Sequence, residues 1–199
     1  MNAVAVAVAG QHGLLERDDA LACLLGAHAE ARAGAGQLVL VSGEAGIGKT
    51  SLVHAFASTL GPSTRFLEGH CDGLFTPRPL SPFADVARAT NGAFAAVLER
   101  GGAPEVFDAL LDELASGDTV LVVEDVHWAD EATLDVLRLL GRRLGLKGVL
   151  VVATYRDDVL DRVHALGRHE MGQAHGRDEA DAHDLNARLR PPLRRGHRE

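Results

Sequence analysis

Eight residues, Gly43-Glu44-Ala45-Gly46-Ile47-Gly48-Lys49-Thr50, constrain this chain more than any other stretch. They follow a continuous apolar run, "LVLVS" (38 to 42), and precede a segment whose Leu52, Val53, Phe56 and Leu60 recur at helical spacing. Glycine lets the backbone turn sharply and aim successive N–H groups at one point. A helix starting near Lys49 adds its positive end to that point. The pattern G-x-x-x-x-G-K-[ST] between a strand and a helix is that of a phosphate-binding loop. Gly43 to Ser51 are therefore the expected nucleotide contacts, with Lys49 reaching the β- and γ-phosphates and the Thr50 hydroxyl ligating Mg²⁺. The expected cofactors are ATP and Mg²⁺.

The rest of the chain alternates strands and helices. Leu21, Leu24, Leu25 and His28 place a helix over 14 to 33, and "RFLEG" (65 to 69) reads as a second strand. Prolines in "TPRPLSP" (76 to 82) make a loop, and helical stretches follow near 82 to 100 and 104 to 115. "TVLVVED" (119 to 125) is a third strand, "EATLDVLRLLGRRL" (131 to 144) an amphipathic helix, and "GVLVVATYR" (148 to 156) a fourth strand. Apolar strands separated by helices imply an α/β fold, a parallel sheet with helices on both faces.

A phosphate loop needs an acid across the site for the metal and another group to orient the attacking water. The third strand supplies both at its C-terminal end, where parallel sheets bind ligands. Glu124 is expected on the metal side, with Thr50, and Asp125 as the water-polarising base. Asp130 reads as the N-cap of the next helix. Trp128 is expected to pack on the neighbouring helix, and His127 either senses the γ-phosphate or bonds local backbone. The fourth strand ends in Thr154-Tyr155-Arg156. A polar residue here would face the γ-phosphate, and Arg156 would stabilise transition-state charge or serve as a plain surface arginine.

Composition narrows the partners. The formal net charge is −8, which argues against nonspecific nucleic-acid binding by the whole chain. Cys23 and Cys71 have no Cys-x-x-Cys spacing and fit reduced thiols. The opening "MNAVAVAVAG" has no basic lead-in and is too short to span a bilayer, so residues 1–11 are expected to be a flexible N-terminus of a cytoplasmic protein with no membrane partner. Residues 158 to 199 carry eight arginines, eight acids and five of the ten histidines, without aromatic residues. A short helix near 159 to 167 is one expectation, within a charged tail over 159–199 that is otherwise disordered. The tail histidines lack paired zinc-ligand spacing.

Together, "LLERDDAL", "LVLVSGEAGIGKTSLV", "CDGLFTPRPLSPF", "VLVVEDVHWADEATLDVLRLLGRRL" and "VVATYRDD" resemble the AAA-like ATPase module of large LuxR-type transcriptional regulators, a group of signal-transduction ATPases with numerous domains. The resemblance spans about 12 to 158, taken as the P-loop ATPase-like domain. It implies an ATP-dependent switch that controls assembly of a regulator. It also implies that Leu15, Glu16 and Arg17 lie near the adenine, that Glu124 and Asp125 form the acidic motif, and that Arg156 is a sensor.

Two departures stand out. The family's acid pair usually begins with Asp; Glu124 is one methylene longer, which leaves contact through water as the alternative to direct Mg²⁺ ligation. In such modules the phosphate-loop strand is also flanked by a fifth strand later in sequence. No clear fifth strand, helical lid or DNA-binding domain follows Arg156 here, so the fold is expected to be incomplete and truncated after the fourth core strand. The loop's own strand would then be a sheet edge. The tail's texture matches a shifted reading frame in GC-rich DNA, which sequencing downstream in all three frames would test.

The leading expectation is an ATP-binding module that hydrolyses slowly and acts through a protein partner or self-association. The alternative is a truncated, catalytically inactive fragment that serves at most as an interaction module. A small-molecule kinase would need an arginine-bearing lid over its acceptor.

Overall fold

The computed structural model describes residues 3–7, 15–73, 78–100, 103–144 and 148–156. The expected tail helix and charged tail fall outside them. Five strands, β1 (Ala3–Ala7), β2 (Gln37–Ser42), β3 (Arg65–His70), β4 (Thr119–Glu124) and β5 (Val149–Tyr155), form one sheet. The spatial order is β1-β2-β5-β4-β3 and every pairing is parallel. Helix α1 (Leu15–Arg32) links β1 to β2, and α2 (Lys49–Thr59) links β2 to β3. Then α3 (Ser81–Thr90), α4 (Ala93–Arg100) and α5 (Ala103–Leu114) lead into β4, and α6 (Glu131–Arg143) leads into β5.

Alternation along each strand explains the two helical layers. Leu38, Leu40, Leu121, Val123, Val151 and Ala153 pack with Phe83, Phe94, Phe107, Leu110, Leu137 and Leu140 in one buried cluster. Val39, Val41, Val120, Val122, Leu150 and Val152 face the other way, onto Ala20, Leu24, Leu52, Val53 and Phe56 of α1 and α2. Successive strand side chains point to opposite faces, so apolar runs without polar alternation can exist only in a sheet covered on both sides.

Two expectations are corrected. Residues 1–11 do not form a wholly flexible segment, because β1 lies within them and runs parallel to β2 in the register Ala3↔Leu38 to Ala7↔Ser42. Consequently β2 is an interior strand rather than a sheet edge, with β5 on its other side from Gln37↔Leu150 to Ser42↔Tyr155. Adjacent parallel strands need a long crossover connection, and α1 supplies it. Alternating Ala and Val also has the character of a strand, which the short apolar length obscured. The second correction lies in the expected helix over 82 to 100, which is broken: Asn91 sits at φ 47 and ends α3. Asparagine tolerates this left-handed conformation, and Gly92 follows it.

Candidate functional site

The C-terminal ends of β2, β3, β4 and β5 meet at one edge of the sheet. The glycine loop leaves β2 there and turns into α2 through Gly46 at φ 77 and Gly48 at φ 102. Both values favour glycine, since a Cβ would be strained at either position. The loop closes with a Leu52 N–H to Gly48 carbonyl bond of 2.9 Å, the first turn of α2. Glu44, Ala45 and Gly46 are exposed, Ile47 and Gly48 half-buried, and Thr50 and Ser51 exposed on the first turn of α2. Lys49 is buried, and its Nζ donates to the carbonyls of Gly43 at 2.8 Å and Glu44 at 3.0 Å.

Across the loop, the Thr50 hydroxyl donates to Glu124 Oε2 at 2.8 Å. Glu124 is only 4% exposed, and its second oxygen, Oε1, is buried without a hydrogen-bond partner. Burial pushes its carboxyl above the ordinary value; the Thr50 bond pulls the other way, and the neighbouring Glu68 and Asp125 charges add to the rise. Asp125 adopts φ 58, a turn held by its N–H donating to Thr154 Oγ1 at 3.0 Å. This turn separates the two acids: Glu124 points into the protein, while the Asp125 side chain is half-exposed. Thr154 is therefore a buried clamp between β5 and the end of β4.

Arg156 follows the Ser42↔Tyr155 register pair and so stands beside the start of the glycine loop. Glu16 and Arg17 lie in the first turn of α1, Arg17 half-buried. Asp130 caps α6 as expected, accepting from Thr133 N at 3.1 Å, and it also accepts from Leu80 N at 3.1 Å. Trp128 is more exposed than packing on a helix would suggest. It is 47% exposed, its ring tilted against His127 at 5.1 Å and lying over Gly73. His127 is buried with Nδ1 3.9 Å from Asp125 Oδ1.

Sequence reading missed two residues. Glu68 and His70 on β3 stand beside the acid pair because β3 runs parallel to β4 with His70 opposite Glu124. The available signal was positional: β3 ends in polar residues, as β4 does. The second strand was expected to stop at residue 69, which left His70 outside it.

The donor set fits Mg²⁺. A hydroxyl and a carboxylate oxygen 2.8 Å apart, with an orphaned buried oxygen on the same carboxylate, are hard ligands beside a helix N-terminus.

A parallel sheet with a glycine-rich loop and helix at one strand end, and acids at the end of a strand beyond its neighbour, defines the P-loop nucleotide-binding class. The four strands β2-β5-β4-β3 are its core, and β1 extends it. The sequence model of the AAA ATPase domain matches residues 13–152, and the chain belongs to that family. Membership implies nucleotide binding, and the family typically binds Mg-ATP.

Among solved structures, Cdc6p from Pyrobaculum aerophilum is similar at 20% identity and a TM-score of 0.54, over 80% of this chain and 45% of that one. C. elegans PCH-2 is similar at 16% identity and a TM-score of 0.41, over 77% and 42%. A structure of Drosophila ORC bound to AT-rich DNA and Cdc6 gives 13% identity and a TM-score of 0.42, over 76% and 55%. The chain spans less than half the length of the Pyrobaculum structure, and the likeness shows the fold alone. No curated protein is similar enough to count as a relative. Among the described residues, no helix is long and apolar enough to cross a membrane.

Proposed function

We propose that this chain is an ATP-binding switch module that hydrolyses its nucleotide slowly, of the kind found in large LuxR-type signal-transduction regulators. The observation that carries the ATP reading is the Thr50–Glu124 hydrogen bond at the mouth of the glycine loop, which joins the phosphate end of the site to its acidic end. Backbone N–H groups from Gly43 to Ser51 bind the phosphates. Lys49 exchanges its two loop carbonyls for β- and γ-phosphate oxygens, a trade of neutral acceptors for charged ones. Thr50 and Glu124 hold Mg²⁺, which supplies charge neutralisation on those oxygens. Asp125 orients the attacking water, and Arg156 offers positive charge from the end of β5. Leu15, Glu16 and Arg17 lie toward the adenine.

Slow hydrolysis fits a water-orienting carboxylate whose side chain is 51% exposed, because solvent competes for its hydrogen bonds. The regulator role rests on the resemblance of five ordered motifs. A protein partner or a second copy of the chain would receive the switch.

One observation favours a catalytically inactive interaction module instead. Lys49 and Thr50 are already satisfied within the protein, so the loop holds its shape without a ligand. Thermal unfolding with and without saturating Mg-ATP decides between them, with Lys49→Ala as control. Ligand at about 100 times its dissociation constant adds roughly 2.7 kcal/mol, which raises the midpoint by several degrees. A rise that Lys49→Ala abolishes supports the ATP switch. A cooperative transition with no shift supports the inactive module.

A further inference from the structure

Beside the glycine loop, Glu68, His70 and Glu124 each offer a ligand atom, and the three atoms lie within 4.8 Å of one another. The cluster is held by the sheet, since β3 and β4 pair in parallel with Glu68 opposite Val122 and His70 opposite Glu124. Its backbone is pinned as well. The His70 N–H donates to Asp85 Oδ2 at 3.0 Å, and the Ser81 hydroxyl donates to the His70 carbonyl at 3.3 Å.

Two buried carboxylate oxygens in this cluster, Glu68 Oε1 and Glu124 Oε1, have no hydrogen-bond partner. Glu124 as a whole is 96% withdrawn from solvent, being 4% exposed, and Thr50 occupies only its Oε2. Beside Glu68, the imidazole nitrogens of His54 and His70 stand 3.8 and 4.0 Å from its Oε1, beyond hydrogen-bond distance. Lys49 turns to loop carbonyls instead. A buried carboxylate oxygen without a hydrogen-bond donor is costly, and a bound cation relieves that cost.

We infer that Glu68, His70 and Glu124 form a binding site for a transition-metal ion of the zinc type, next to the nucleotide site and sharing Glu124 with it. Zinc-type ions accept both carboxylate oxygen and imidazole nitrogen as ligands, whereas Mg²⁺ and Ca²⁺ take oxygen ligands. Ligand atoms around tetrahedral zinc stand roughly 3.4 Å apart, from bond lengths near 2.1 Å. The 4.0 Å between His70 Nε2 and Glu68 Oε1 closes to that with a small side-chain adjustment. The His70 side chain is 54% exposed, which leaves the entry path and a fourth, water position open. The ion would use Glu124 Oε1 and leave Oε2 on Thr50, so its occupancy holds Glu124 in the orientation the phosphate end requires.

The site stands on residues that the ATP reading does not use, apart from Glu124, and its test needs no nucleotide. Cobalt(II) is titrated into the full-length chain without ATP, and its visible d–d absorption is followed. The expected result is one saturable site whose signal zinc abolishes. Affinity should fall roughly tenfold or more in Glu68→Gln and in His70→Ala, with both variants keeping the wild-type unfolding midpoint to within a few degrees. Should either variant unfold, His70→Gln replaces it as the conservative change. Lys49→Ala should bind cobalt like wild type while losing the ATP-dependent midpoint shift, which separates failure of this site from failure of the nucleotide site. Absence of saturable binding overturns the inference. So does binding that survives the Glu68 and His70 changes unaltered, because the ion then sits on other histidines.

Discussion

Thr50 and Glu124, separated by 74 positions in sequence, share a 2.8 Å hydrogen bond from the Thr50 hydroxyl to Glu124 Oε2. That bond joins the first turn of α2 to the end of β4 and leaves Glu124 Oε1 unpartnered. The site thus holds a desolvated carboxylate with one oxygen left for a cation to satisfy.

This sets stability against function at Glu124. Glu124→Gln keeps the Thr50 bond, because the amide oxygen still accepts, and removes a buried charge. The ligand-free variant is expected to be more stable than wild type by about 1 kcal/mol, since burying an amide costs less than burying a carboxylate. Its midpoint shift with Mg-ATP should shrink. Parallel melts of both proteins measure the two effects, and an unchanged Mg-ATP shift would remove Glu124 from the metal's ligands.

Asp118 makes the acid-range prediction. It lies just before β4 and is bonded by Thr64 Oγ1 at 2.8 Å and His28 Nε2 at 3.0 Å, with Arg32 Nε at 3.3 Å. Burial alone would raise its carboxyl. The bonds from Thr64 and His28 and the charges of His28 and Arg32 outweigh burial and hold it below the ordinary value. A folded-state value below the unfolded one adds stability that is fully present above the unfolded pKa and is lost as pH falls through the folded one. Asp118→Asn should therefore cost about 1 to 3 kcal/mol near neutrality and much less at low pH. Denaturant titrations at pH 7 and near pH 3 would show the difference narrowing; an equal loss at both would refute the assignment.

Gly69 sets how closely α3 approaches β3. A Cβ there would lie 2.2 Å from the Pro82 carbonyl oxygen and 2.7 Å from its carbon, both backbone atoms that cannot rotate away. Gly69→Ala should destabilise the fold by about 1 to 3 kcal/mol, the usual cost of overpacking. It should also displace His70 and weaken cobalt binding. A wild-type midpoint in Gly69→Ala would mean that the helix can move away freely.

β1 makes a separate prediction. Deleting residues 1–7 leaves the outer edge of β2 without the partner strand that runs from Ala3↔Leu38 to Ala7↔Ser42. The shortened chain should melt at least about 2 °C lower and self-associate through the uncovered edge. Light scattering and thermal melts would check both. A monomer of undiminished stability would show that β1 contributes nothing to the sheet.

Much of this arrangement was legible in the residues. The glycine loop, its strand and its helix announce themselves through local chemistry: positive-φ glycines, an apolar run and a 3.6-residue period. The Glu124-Asp125 pair and the Asp130 cap were readable as local patterns, two acids ending an apolar run and a capping residue before a helical period. Glu68 and His70 were not, because nothing local marks the two residues as partners of Glu124. β1 escaped because its five small residues make only a short apolar run, and its partner β2 lies far along the chain.

The sequence by itself thus determined most of the elements, the α/β class and the position of the glycine loop between a strand and a helix, all of which follow from short-range sterics and periodic burial. Only the tertiary structure decided that β1 closes the edge beside β2, that Thr154 splits Glu124 from Asp125, and that His70 stands opposite Glu124. Those relationships depend on strand order and register, which arise from long-range packing of both helical layers onto one sheet.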